Sequence, residues 1–388
     1  MTLIKSEIEL AKELIKCPSV TPKEAGAISL LEKKLSNIGF KCHRLSFGEK
    51  NEKIENLFAK IGSGKPHFSF CGHIDVVPPG DKKLWSYDPF GATISEKTLY
   101  GRGATDMKSS IAAFIIAVEE FIKDNNLIGS ISLIITGDEE GDAVNGTIKI
   151  MEWLKEQKQL PDCCLVGEPT SIEYIGDVIK NGRRGSLSCE LNVYGTQGHV
   201  AYPHLANNPL PAMFDMLSIV NSKILDDGNE SFDGSTAEIT NIDVDNNSTN
   251  IIPKKIKANF NIRFNNNFSK EKLQMKLEEH FTKIANKKKV KWDVRYKSNA
   301  KPYITKSSNF SEIIRKSIKN QTKRFPRLST SGGVSDARFI FETCPVIEFG
   351  LVGKTMHKID ECVNINDITK LKDIYKDIIQ NVDNNYQQ

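Results

Sequence analysis

The stretch ISLIITGDEEGD, residues 131–142, places three acids at the end of an apolar run. Like charges crowded at the edge of a core repel one another and lose hydration, so Asp138, Glu139 and Glu140 cost stability unless cations or protons offset them. An acidic surface loop is the plain alternative, and what the chain places in similar positions elsewhere decides between the two. Three further strand-like runs end the same way: HFSFCGHID closes on His73 and Asp75, CCLVGEP on Glu168, and VIEFG leads through a short loop to His357 in TMHKIDE. Asp106, in GRGATDMK, stands at the start of a helical pattern. In open α/β sheets, ligands gather outside the carboxyl ends of the strands. Two histidines and several carboxylates in that shared position, with no thiolate among them, suit a pair of borderline metals such as Zn2+. Cations then account for the crowded acids.

The runs alternate with helical patterns over about the first 170 residues, the signature of a mixed or parallel sheet covered by helices. From Met107 to Asn125 the residues Ile111, Phe114, Ile115, Val118, Phe121 and Ile122 line one apolar helical face, and Asp106 is expected as its N-cap. After Gly182 the order changes to strand-like SLSCELNVYG, a helix over 209–225, strand-like TAEITNIDV and KKIKANFNIRF, a helix over 270–284 and strand-like VKWDVRY. That β-α-β-β-α-β order is ferredoxin-like. A chain of 388 residues is too long for one core. The expected fold class is therefore α/β, a mixed-sheet domain of residues 1–179 and 297–388 interrupted by an inserted ferredoxin-like α+β domain of residues 180–296.

Composition excludes several function classes. With 39% hydrophobic and 26% charged residues, no 18-residue apolar run and an amphipathic beginning MTLIKSEIELAKELIK, neither a membrane span nor a signal peptide is expected. Eight cysteines at irregular spacings, without a C-x-x-C pair, fit neither a disulfide framework nor a thiolate zinc site, and point to the cytoplasm. A net charge of +4 spread over the chain implies no nucleic-acid partner, and the basic cluster from Lys287 to Lys291 reads as a solvated face at a helix C-terminus.

In order and over essentially the whole chain, GHIDVVP, GRGATDMKS, GDEEGD, GEPT, GTQGHVAYPHLANNP and the closing SGG-x-SD and MHKIDE resemble the M20 family of metal-dependent aminoacyl hydrolases. The resemblance implies a catalytic domain with two Zn2+ per subunit, Co2+ serving as a substitute, and an inserted lid that also forms a homodimer. It implies hydrolysis of N-succinyl-LL-2,6-diaminopimelate to succinate and LL-2,6-diaminopimelate, in lysine and diaminopimelate biosynthesis. A related deacylase, such as an acetylornithine deacetylase or an aminoacylase-type peptidase, is the alternative; NGRRGS and SGG-x-SD favour the first. A catalytically dead scaffold would have lost Glu139 or a ligand, and a calcium loop would need a ligand spacing that GDEEGD lacks.

Carried over residue by residue, the resemblance makes Asp106 the bridging ligand, sets His73 and Glu168 on one zinc and Glu140 and His357 on the other, and makes Glu139 the general acid/base. Asp75, two residues after His73, would orient its imidazole. His199, from the other subunit's lid, would donate to the oxyanion, and Arg183, Ser186, Tyr202, Asn250 and Arg263 are the substrate-binding candidates. Asp138, Arg184 and His204 are read as structural. Val334, where the family often has Thr, and Gly353, where it sometimes has Asn, remove hydrogen bonds that could reach substrate.

Overall fold

The computed structural model describes residues 5–49, 53–221, 225–306 and 308–386. The chain divides into two compact units, one of residues 1–181, 305–329 and 335–388, the other of residues 182–304 and 330–334. The smaller unit thus includes residues 297–304, which the sequence pattern assigned to the larger one. Two pairings hold them there: the strand Lys291–Ala300 runs past 296 alongside Gly185–Tyr194, and Tyr303–Ile304 pairs with Gly182–Arg183.

In the larger unit an 8-stranded sheet runs in the order Lys41–Phe47, Ile54–Gly62, Ser130–Thr136, His67–His73, Cys163–Val166, Val346–Glu348, Val178–Lys180, Arg327–Ser329. His67–His73 lies parallel to both its neighbours, and Val346–Glu348 lies parallel to Cys163–Val166. These four strands are buried along their whole length, as strands covered on both faces must be, and so read as continuous rather than alternating apolar runs. Because they are parallel, they end at one edge of the sheet, and whatever follows each of them starts there.

The helix Ser109–Asp124 buries every residue from Ser109 to Val118. It is apolar nearly all round, rather than on one face, because it packs on the sheet through Phe114, stacked on Phe70 at 4.2 Å, and on the helices Ser6–Ile15 and Ile365–Asn385 as well. Tyr375 meets Phe70, Phe114 and Phe349 edge-on, and its hydroxyl donates to the Phe349 carbonyl at 2.7 Å. The expected N-cap is not formed. The helix begins at Ser109 after Lys108, and Asp106 sits in a distorted turn, Ala104–Lys108, with non-helical backbone angles.

The smaller unit has a sheet ordered Thr236–Asp243, Lys255–Phe264, Gly185–Tyr194, Lys291–Ala300, with every neighbour antiparallel. Leu210–Asn221 and Lys270–Lys288 pack on one face through Met216 and Phe281 against Leu187, Leu191 and Phe260. In chain order this is the β-α-β-β-α-β arrangement of a ferredoxin-like sheet. Of the helix expected over 209–225, residues 222–224 lie outside the described residues. Lys287 and Lys288 fall in the last turn of the second helix. All eight cysteines are free. Among the described residues no helix is long and apolar enough to cross a membrane.

Candidate metal centre

The residues that follow the four parallel strands converge at their carboxyl ends. His73, the last residue of its strand, is buried, and its Nδ1 meets the Asp75 carbonyl at 2.9 Å, which turns Nε2 toward the site. Nε2 lies 3.1 Å from Asp106 Oδ1 and 3.7 Å from Glu168 Oε1. The other oxygen of Asp106, Oδ2, lies 3.3 Å from His357 Nε2, which is in turn 2.8 Å from Glu140 Oε1. One carboxylate therefore faces two histidine–glutamate pairs, one through each oxygen. Potential ligand atoms lie within 4.8 Å of one another in each of three groups: His73, Asp106 and Glu168; Asp106, Glu140 and His357; and His73, Glu139 and Glu140.

Electrostatics make this cluster costly without cations. Burial opposes charge on His73, but the bond to Asp106 and the charges of Asp106, Glu168 and Glu139 hold its pKa well above the usual imidazole range. Burial likewise opposes charge on Asp106, yet bonds from His357 and His73 hold it well below the usual carboxylate range. His357 is pushed up to about 10 by its bonds to Asp106 and Glu140. Burial, then the charge of Glu168, raises Glu139 well above the ordinary carboxylate value. The donor set fits divalent ions: ligand atoms about 2.0–2.2 Å from one tetrahedral ion stand roughly 3.3–3.6 Å apart, and imidazole with carboxylate is the zinc chemistry of sites without thiolates.

Residues 70–381 match the profile of peptidase family M20/M25/M40. The chain belongs to this family. Among curated relatives, the succinyl-diaminopimelate desuccinylase of Pelagibacter ubique (strain HTCC1062) is 49% identical over 378 residues, 97% of this chain and 98% of that protein. Aminopeptidase PepT from Bacillus cereus ATCC 10987 shares the fold with a TM-score of 0.79 at 19% identity, covering 97% of this chain and 98% of that one. So does the YXEP protein of Bacillus subtilis, a dinuclear metal binding peptidase of the M20 family, with a TM-score of 0.70 at 15% identity and 96% of each chain covered.

In this M20 hydrolase the Asp75 carboxylate does something its spacing from His73 did not reveal. It is 3.6 Å from the imidazole Nδ1, which bonds instead to the Asp75 carbonyl. The carboxylate accepts the backbone N–H of Glu139 at 3.2 Å and of Glu140 at 3.0 Å, with the Thr21 hydroxyl at 2.9 Å, and so fixes the start of the acidic loop. Asp138 turns the other way and accepts from the backbone of Ala143, Val144 and Asn145. Glu168 follows Gly167, where a Cβ would stand 2.4 Å from the Phe70 ring. Sequence reasoning passed over Thr21, Arg102, Lys108 and Glu361. Lys108 is fully buried, its ammonium donating to the Leu14 and Cys17 carbonyls at 2.9 and 2.7 Å. Charged residues within quoted motifs, yet without a ligand role, were the signal available for the last three.

The remaining candidates of the M20 chain belong to the smaller unit. Ser186 stands opposite Arg263 in the sheet, and the Arg263 guanidinium has a buried Nη1 with no hydrogen-bond partner among the described residues. Arg183 donates to the Ser331 carbonyl at 3.4 Å, and Arg184 to Gly234 and Thr236. His199, Tyr202 and Asn250 gather round the short pairing of Gly198–His199 with Ile251–Ile252. His199 is exposed, and its Nδ1 accepts the Ala201 N–H at 3.0 Å, which leaves the ring proton on Nε2. In the larger unit the Gly353 N–H donates to the Ser171 carbonyl, and a Cβ there would lie 2.9 Å from the Pro169 carbonyl, so a larger residue needs a shifted backbone.

Proposed function

We propose that the protein is a dinuclear metal amidohydrolase that cleaves N-succinyl-LL-2,6-diaminopimelate to succinate and LL-2,6-diaminopimelate, a cytoplasmic step of lysine and diaminopimelate biosynthesis. The observation that carries the chemistry is Asp106, whose two oxygens face His73 with Glu168 and His357 with Glu140. The substrate is supported by the 49% identity to a desuccinylase over nearly the full length of both chains. His73, Asp106 and Glu168 would hold one zinc, and Asp106, Glu140 and His357 the other. Bound there, the pair acidifies a water and polarises the amide carbonyl.

Glu139 accepts the proton of the attacking water and delivers it to the leaving amine as the C–N bond breaks. Its raised proton affinity, set by burial and the charge of Glu168, suits a group that must take a proton and give it back. The smaller unit, read as an inserted lid and dimerisation domain, would supply Arg183, Ser186, Tyr202, Asn250 and Arg263 to the substrate carboxylates, for which the Arg263 Nη1, without a partner among the described residues, is suited. His199, with its proton on Nε2, would donate to the oxyanion from the partner subunit. Purified, zinc-loaded protein should release succinate from N-succinyl-LL-2,6-diaminopimelate, with a far lower kcat/KM for acetate release from acetylornithine. The reverse preference would overturn the substrate and keep the chemistry.

A further inference from the structure

We infer that Glu361 is a positioning residue of the metal centre, holding the Asp106 ligand by its backbone and tying it, through Arg102, to the loop that carries His357. The inference rests on the dinuclear reading. Glu361 is fully buried. Its Oε1 accepts the backbone N–H of Thr105 at 2.9 Å and of Asp106 at 3.1 Å, and its Oε2 accepts Arg102 Nη1 at 2.8 Å. The same Nη1 donates at 3.1 Å to the carbonyl of Lys358, the residue after His357. Arg102 is itself buried, its guanidinium 5.1 Å from the centre of the Trp85 ring.

Further bonds close the assembly. The Thr105 hydroxyl donates to the Cys362 carbonyl at 2.8 Å, and Thr355 both donates to that carbonyl and accepts the Cys362 N–H. The His357 loop needs such ties, because His357 and Asp360 hold φ of 61° and 56°, a left-handed region that non-glycine residues occupy only when their surroundings impose it. A buried ion pair seldom stabilises a fold more than apolar side chains of the same size would. Placing the buried Glu361 carboxylate beside Asp106 adds like charge to a site already crowded with acids, which Arg102 offsets. What the pair achieves in return is aim: Asp106 and His357, ligands from two loops far apart in sequence, are set by one salt bridge.

The test is a calorimetric Zn2+ titration of metal-free protein, with thermal unfolding measured in parallel, on wild type, Glu361→Gln, Arg102→Lys and a control, Asp383→Asn. Asp383 is another buried carboxylate that accepts two backbone N–H groups, from Ile128 and Gly129, but at the opposite end of the Ser130–Thr136 strand from the acidic loop. Glu361→Gln should weaken binding of at least one of two ions by about 10- to 100-fold, as loss of a group that orients a ligand does. Arg102→Lys keeps a charge for Glu361 but loses the guanidinium geometry that also reaches Lys358, and should weaken binding in the same sense. It decides the matter if Glu361→Gln does not fold. Asp383→Asn should lower the melting temperature and leave both affinities unchanged. Wild-type affinities in Glu361→Gln and Arg102→Lys, or an equal loss in Asp383→Asn, overturn the inference. Fewer than two ions in the wild type would instead defeat the dinuclear reading, and this inference with it.

Discussion

Glu139 and Glu140 are neighbours whose backbone N–H groups are held by one carboxylate, that of Asp75, yet their side chains have different surroundings. Glu140 reaches His357 at 2.8 Å, whereas Glu139 is held toward its protonated form by burial and the charge of Glu168. Glu139→Gln should therefore lower kcat by about 10²- to 10⁴-fold, the worth of a positioned acid/base, while two metals stay bound. Glu140→Ala should lose metal. Metal analysis beside kcat checks both, and metal loss in the first variant with retention in the second would reverse the assignment. At this scale the ligand candidates were legible because His, Asp and Glu recur after apolar runs. What spacing could not show is which atom a residue presents. Asp75 meets His73 through its carbonyl and holds the next loop with its carboxylate, and Glu361 acts on backbone N–H groups that look alike in any sequence.

Among the elements, the central strands were plain because a strand buried on both faces must be apolar throughout, and the smaller unit because Lys255–Phe264 alternates buried and half-buried positions residue by residue. The start of Ser109–Asp124 was not. An Asp before an apolar run reads as an N-cap, but Asp106 is drawn to His73 and His357, and tertiary contact overrides local preference. A contact between two helix starts yields a pH prediction. Thr147, which opens the helix Thr147–Glu156, donates at 2.7 Å to Asp336, which precedes Ala337–Ile340. The other Asp336 oxygen is buried without a partner among the described residues, and burial pushes its pKa from 3.8 up to about 6. The folded value exceeds the unfolded one, so this stabilisation is complete below pH 3.8 and is lost as pH rises through about 6. In metal-free protein Asp336→Asn should remove that loss. Urea unfolding should find the variant more stable than wild type at pH 7 and equal to it near pH 4, and parallel profiles would refute the assignment.

For the whole molecule, the two-unit division followed from chain length and the change of pattern after Gly182, but the strand Lys291–Ala300 runs beyond the boundary that pattern suggested because its register with Gly185–Tyr194 continues. If His199 acts across a dimer interface, Glu139→Ala and His199→Ala protomers, each inactive, should complement one another. Equal mixing leaves one live site in the half of dimers that are mixed, roughly a quarter of wild-type activity. No recovery despite verified subunit exchange would make His199 a local residue. The most direct test of the centre itself is to titrate Zn2+ into metal-free protein while following succinate release from N-succinyl-LL-2,6-diaminopimelate. Dinuclear hydrolysis requires that the metal-free protein be inactive and that activity saturate at two equivalents per chain. Full activity without metal, or saturated activity with no second ion bound, would contradict it.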